Sequence, residues 1–207
     1  PRFDAEAWMK EHGETFVMHR APSLTALPTI AAFDVVLIDG DHNWYTVYEE
    51  LKLIERLCQE RESDLPLMLL HDIAWPYGRR DLYYDPDAIP QQHRQPWDRR
   101  GISPTESELL PKDKGGFNAH LANALHEGGD KNGVLTAVED FLDQSDADIE
   151  LVRIPAVFGL GILLPRALAE ARPTVARLVR AWSAPQIERF IDRLETARIA
   201  MLTGIAR

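Results

Sequence analysis

The chain has 207 residues, 45% of them hydrophobic, and 23 Lys and Arg against 33 Asp and Glu give it a formal net charge of -10. That length holds one sizeable core, no apolar run reaches the roughly 18 residues that span a bilayer, and the acidic balance argues against nucleic acid and anionic lipid as partners. The single cysteine, Cys58, falls at an apolar helical position and has no disulfide partner, which fits a reducing cytoplasm.

The sequence opens at Pro1 without an initiator methionine and reads as a trimmed fragment entered in mid-domain. Residues Asp4 to His12 read as a short helix and Thr15 to His19 as a short strand. The continuous run Phe33 to Ile38 is expected to be a central strand buried on both faces, ending at Asp39-Gly40-Asp41. From Thr46 to Gln59, Val47, Leu51, Ile54 and Cys58 recur at helical spacing. Leu65 to Leu70 then forms a second buried strand ending at His71-Asp72, so strand, helix and strand make a parallel unit. Residues 73–131, rich in Pro, Gly, Arg and aromatics, break this rhythm and read as a lid-like insertion with one helix from Phe117 to His126; Gly115-Gly116 and Gly128-Gly129 are hinge candidates or ordinary turns. A helix from Gly133 to Leu142 comes next, then strands Ile149 to Ile154 and Phe158 to Leu164, whose short connection requires an antiparallel pair. Arg166 to Arg207 is helical, broken near Ser183-Ala184-Pro185, with Ser183 as the expected cap. Its stripe of Val175, Leu178, Val179, Trp182, Ile187, Phe190, Ile191 and Leu194 is core or a face for homo-oligomer formation.

The segments FDVVLIDGDHNWYTVYEELKLI and LMLLHDIAWPYGRRDLYY, set in a sheet that finishes in an antiparallel hairpin, resemble the fourth and fifth strands of class I S-adenosylmethionine-dependent methyltransferases. The family resembled is the one with an Ile-Asp-Gly-Asp-His signature, and the similarity spans about Phe33 to Pro165. The resemblance implies an α/β, Rossmann-like, mostly parallel sheet over residues 1–165 with a helical extension over 166–207. It also implies that the glycine-rich loop and ribose-binding acid lie outside these residues. Cofactor-binding residues are therefore unassigned, and the fragment alone should bind S-adenosylmethionine poorly and be inactive.

Ligands of open parallel sheets sit at the carboxyl ends of strands, and neighbouring strands are about 4.8 Å apart. Asp39 and Asp72 at two such ends would repel unless a cation lay between them. In the metal-assisted O-methyltransferases that the sequence resembles, an acid matching Asp39 and a pair matching His71-Asp72 hold a divalent ion, magnesium or manganese, beside the acceptor oxygen. His71 stands where an acid is usual, which favours a softer ion or leaves His71 outside the ligand set. His42 is the candidate base for the acceptor hydroxyl, with Asp39 as catalytic partner; Asp41 would orient it, bind metal or contact substrate. Plain strand termination and helix capping by Asp39, Asp41 and Asn43 is the competing explanation. Trp75, Tyr77, Arg79, Arg80, Tyr83 and Tyr84 either bind the acceptor or anchor the insertion.

The expectation is a metal-assisted O-methyltransferase acting on a hydroxyl of a sugar or natural product. A metal-dependent hydrolase using Asp39, His42, His71 and Asp72, and a non-catalytic binding module derived from a methyltransferase, are the alternatives.

Overall fold

The computed structural model describes residues 4–13 and 15–204. They belong to two compact units, Pro1–Ala31 and Ala32–Arg207. No helix among the described residues is long and apolar enough to cross a membrane.

In the first unit, helix α1 (Ala5–His12) begins at Asp4, whose carboxylate accepts from the Glu6 and Ala7 amides at 3.1 Å each. A four-residue helix α2 (Ser23–Ala26) lies further along. The expected strand from Thr15 to His19 does not form. Thr15 and Phe16 instead turn back on the His12 carbonyl, and Val17 is exposed; alternation without a ladder partner leaves the backbone groups better served by a turn.

The second unit runs β1 (Val35–Ile38), α3 (Trp44–Glu60), β2 (Leu67–His71), β3 (Leu82–Tyr83), β4 (Trp97–Asp98), β5 (Ala122–Ala124), α4 (Val134–Gln144), β6 (Ile149–Ile154), β7 (Leu160–Pro165), α5 (Arg166–Ala171), α6 (Pro173–Ala181) and α7 (Pro185–Leu202). It is an α/β fold, but its main sheet is mixed where a mostly parallel one was expected. The order is β1-β2-β7-β6: β1 and β2 are parallel, while β7 is antiparallel to both β2 and β6. The crossover helix α3 makes the first pair parallel, and the short β6–β7 turn makes the last pair antiparallel.

Strand register assigns the two faces. Val36, Ile38, Met68, Leu70 and Leu163 share one, and Met68, Leu70 and Leu163 are fully buried there. Val47, Leu51 and Ile54 of α3 and Val138 and Phe141 of α4 are equally buried, as two packed amphipathic helices require. On the other face α5 and α6 cover the β6–β7 side, with Val152, Ile162, Leu164, Ala169, Ala176 and Val179 forming a core cluster. These C-terminal helices are thus part of the second unit. β1 departs from expectation: it is an edge strand of this sheet rather than a central one, and Val35 and Leu37 on that face are 57% and 64% exposed, so it is buried on one side only.

The segment after β2 also differs from its expected form. The helix expected from Phe117 to His126 is replaced by β5, which pairs antiparallel with β3 and β4 in a second, three-stranded sheet. Asn123 in β5 is wholly buried; its amide donates to the carbonyls of Arg100, Asn118 and Leu121 and its oxygen accepts from Tyr77. The nonlocal bonds, to Tyr77 and Arg100, overcome whatever helical preference the segment has. The residues of both glycine pairs have positive φ, as turns of this kind need. At the last break, Ala184 rather than Ser183 is the N-cap of α7, because the Ser183 hydroxyl donates back to the Arg180 carbonyl. In the C-terminal stripe only Val179 is buried outright, Val175 packs against the core cluster, and Leu178, Trp182, Phe190 and Leu194 are more than half exposed.

Candidate functional site

With Ile38 beside Leu70 in register, Asp39 and His71 leave the parallel pair at the same edge. Short-range contacts then fix the backbone beyond each strand end. Asn43 caps α3 by accepting from the Thr46 amide at 2.9 Å, and Asp41 accepts from the Thr46 hydroxyl at 3.0 Å. The chain therefore turns into α3 within a few residues of Asp39. The His42 carbonyl accepts from the Leu82 amide at 2.9 Å, fixing the turn from outside. Asp72 sits at φ +60°, a left-handed conformation that few residues other than glycine, Asn and Asp adopt.

These constraints bring four side chains together. His42 Nε2 lies 2.8 Å from Asp72 Oδ2 and 3.6 Å from Asp39 Oδ1; His71 Nδ1 lies 3.0 Å from Asp72 Oδ2 and 3.1 Å from Asp39 Oδ1. One donor atom from each of the four falls within 4.8 Å of all the others. His42 and Asp72 are buried, His71 is partly so, and the Asp39 side chain is half exposed, leaving one open side. Burial opposes a charge on His42, yet Asp72 and Asp39 outweigh it and raise the imidazole above its ordinary range.

The cluster is a candidate site for a divalent cation. Neighbouring donors about 2.1 Å from one ion are roughly 3.0 to 3.4 Å apart in octahedral or tetrahedral arrangements, a range that the four His–Asp separations bracket. His42 Nε2 is buried and close to Asp72, but makes no hydrogen bond of acceptable geometry. An imidazole beside two carboxylates suits manganese, iron or zinc better than magnesium.

Comparison of the chain with protein-family models, curated proteins and solved structures gives no match.

The expected substrate residues divide. Tyr77 stacks on His42 with ring centres 5.7 Å apart, while its buried hydroxyl bonds Asn123 and Asn118. Tyr84 places its hydroxyl 3.3 Å from His42 Nδ1 and is exposed. Trp75 packs on Phe117. The other expected contacts are directed elsewhere. Arg80 is fully buried and donates to the carbonyls of Ala124 and Ser107, contacts that tie the segment together. Arg79 makes a bidentate pair with Glu139 at 2.6 and 2.8 Å and lines a separate cavity of about 600 Å³ beside Trp44 and Tyr48, to which none of the four clustered residues contributes. Asp41 is engaged at the start of α3 and is not among the four. Tyr83 is buried, donating to Asp81.

Sequence reasoning missed Phe158 and Asp81. The Phe158 ring meets that of His71 edge-to-face at 6.5 Å, but it lies in a short turn that carries no motif. Asp81 Oδ1 accepts from the amides of Trp44 at 2.7 Å and Gly133 at 2.6 Å, which start α3 and α4. Its position amid Arg and Tyr residues made it look like loop, although an acid that can reach two helix starts is a recognisable capping type.

Proposed function

We propose that the chain carries the acceptor and metal centre of an S-adenosylmethionine-dependent O-methyltransferase acting on a small-molecule hydroxyl. The observation that carries the reading is the convergence of Asp39, His42, His71 and Asp72 at the carboxyl ends of two adjacent parallel strands. A Rossmann-like methyltransferase sheet, finishing in an antiparallel hairpin, is the fold this reading supposes. The strand order and the signature following β1 support it.

In this reading Asp39, His71 and Asp72 hold the divalent ion, whose role when bound is to lower the acceptor's pKa. His42 receives the acceptor's proton. The Tyr84 hydroxyl lies 3.3 Å from Nδ1, and stacking on Tyr77 helps to hold the ring with Nε2 toward the cluster. Asp72 beside Nε2 stabilises the imidazolium that results. The exposed flank of Asp39 leaves a way in for the acceptor.

Calorimetric titration with Mn²⁺ separates ligand from base. Asp39→Asn, His71→Gln and Asp72→Asn should each weaken binding at least about tenfold, whereas His42→Gln should leave it within about threefold and abolish transfer from radiolabelled S-adenosylmethionine in the active enzyme. Absence of Mn²⁺ and Mg²⁺ binding by the unaltered protein would remove the proposal. A hydrolase using the same four residues has one feature in its favour, the pair of imidazoles. It differs in needing no methyl donor, so product formation without S-adenosylmethionine would select it.

A further inference from the structure

Two sides of α7 differ in what they meet. On one, the buried carboxylate of Glu195 accepts from the amides of Val157 at 3.0 Å and Phe158 at 2.8 Å, residues held at φ of +49° and +67°. Arg198 grips Glu195 through two bonds of 2.7 and 2.6 Å and lays its guanidinium over the Phe158 ring at 4.2 Å. These contacts fasten the helix to the β6–β7 turn and determine which of its residues face outward.

Ile187, Phe190, Leu194, Ala197 and Met201 are among those that do. They recur at alternating steps of three and four, which aligns them along one side of the helix as a straight seam. All are exposed, the four large ones between 40% and 69%. A helix that lies on a core normally turns such a stripe inward. In α7 the inward side belongs to Glu195 and Arg198, so the seam is left for a surface other than the chain's own core.

We propose that the seam is the interface of a homodimer, with the α7 helices of two copies packed antiparallel about a two-fold axis near Leu194. Size, charge and area favour a second copy. Phe190 precedes Leu194 by four residues and Ala197 follows it by three, so antiparallel packing sets the ring of each copy beside the small side chain of the other, and each Ile187 near a Met201. Glu188, Asp192 and Glu195 balance Arg189, Arg193 and Arg198, which leaves α7 without net charge on a chain of net charge -10. Two copies therefore repel least when this helix is what they share. The same total charge opposes an anionic bilayer, the other surface that suits an apolar stripe flanked by arginines. At these exposures the seam offers on the order of 500 Å² of apolar surface, which at the roughly 65% apolar share of homodimer interfaces gives about 800 Å² per copy, the size of a stable interface.

Sedimentation velocity of the full chain should show a concentration-dependent dimer with a Kd of about 10 µM or tighter. Leu194→Glu and Phe190→Glu should each weaken association at least about a hundredfold, because pairing would bury a carboxylate with no partner, while far-UV circular dichroism stays that of the natural protein. Leu37→Glu, on the exposed apolar face of β1, should leave the dimer intact. Leu194→Cys should become a disulfide-linked dimer under copper-phenanthroline oxidation, since residues beside the axis come within bridging distance and Cys58, being buried, does not compete. Should either glutamate variant unfold, the cross-link decides. A monomer at every concentration, with or without binding to vesicles of equal parts phosphatidylcholine and phosphatidylserine, would overturn the proposal. So would a dimer that survives both glutamate variants in α7, one that dissociates with Leu37→Glu alone, or a dimeric Leu194→Cys that stays unlinked.

Discussion

Asp72 combines two demands that rarely coincide at one residue: a left-handed backbone and a buried carboxylate pointed at two histidines. Asn tolerates the same φ, whereas a β-branched side chain clashes there. Asp72→Val should therefore be less stable than Asp72→Asn by on the order of 2 kcal/mol in urea unfolding, although both remove the Asp72 carboxylate. Equal midpoints would show that the conformation at residue 72 is readily exchanged for another. The four clustered residues were legible in the sequence because each lies at or just past a strand end, where residue type and position together specify a crevice. Phe158 and Glu195 were not legible, since what matters about them is a partner 37 residues away for the amide of one and the carboxylate of the other. In sequence Glu195 and Arg198 look like an ordinary surface ion pair at i and i+3.

At the scale of elements, periodicity identified both parallel strands, the crossover helix and the closing hairpin, though not that β1 lies at the sheet's edge. It failed in the segment after β2, where order comes from buried polar groups with distant partners. Asp81 is the clearest case, accepting from the amides of Trp44 at the start of α3 and of Gly133 at the N-cap of α4 and from the Tyr83 hydroxyl at 2.8 Å. Gly133 is the residue this junction demands: its φ is +93°, and a Cβ there would lie 2.5 Å from the Arg80 amide nitrogen. Burial pushes the Asp81 carboxyl up to about 6, with the Gly133, Trp44 and Tyr83 donors pulling the other way. A folded-state value above the ordinary one means that folding takes up a proton between them. The resulting stabilisation is complete below the ordinary carboxylate range and is lost as pH rises through about 6. Asp81→Asn keeps an oxygen for the two amides but cannot titrate. The stability of the natural protein relative to Asp81→Asn should consequently fall by on the order of 2 kcal/mol from pH 4 to pH 7 in urea unfolding. A difference that stays level or grows would show that the three donors, not burial, govern this carboxyl.

For the molecule as a whole, the second unit holds its candidate ligands on two strands and on the turns beyond them, so no preformed site survives unfolding. An ion that binds the folded chain alone stabilises it by mass action, about 2.7 kcal/mol at a concentration of 100 Kd. For a chain of this size that corresponds to a rise in Tm of roughly 5 to 10 °C. The net charge of -10 introduces a competing effect, because any divalent salt relieves repulsion among surface carboxylates. Screening acts on every variant alike, whereas coordination requires the cluster. Thermal unfolding with Mn²⁺ at fixed ionic strength should therefore raise the Tm of the natural protein and leave that of the Asp39→Asn, Asp72→Asn double variant within about 1 °C of its metal-free value. An equal rise in both would assign the stabilisation to general charge screening and take the ion away from these strand ends.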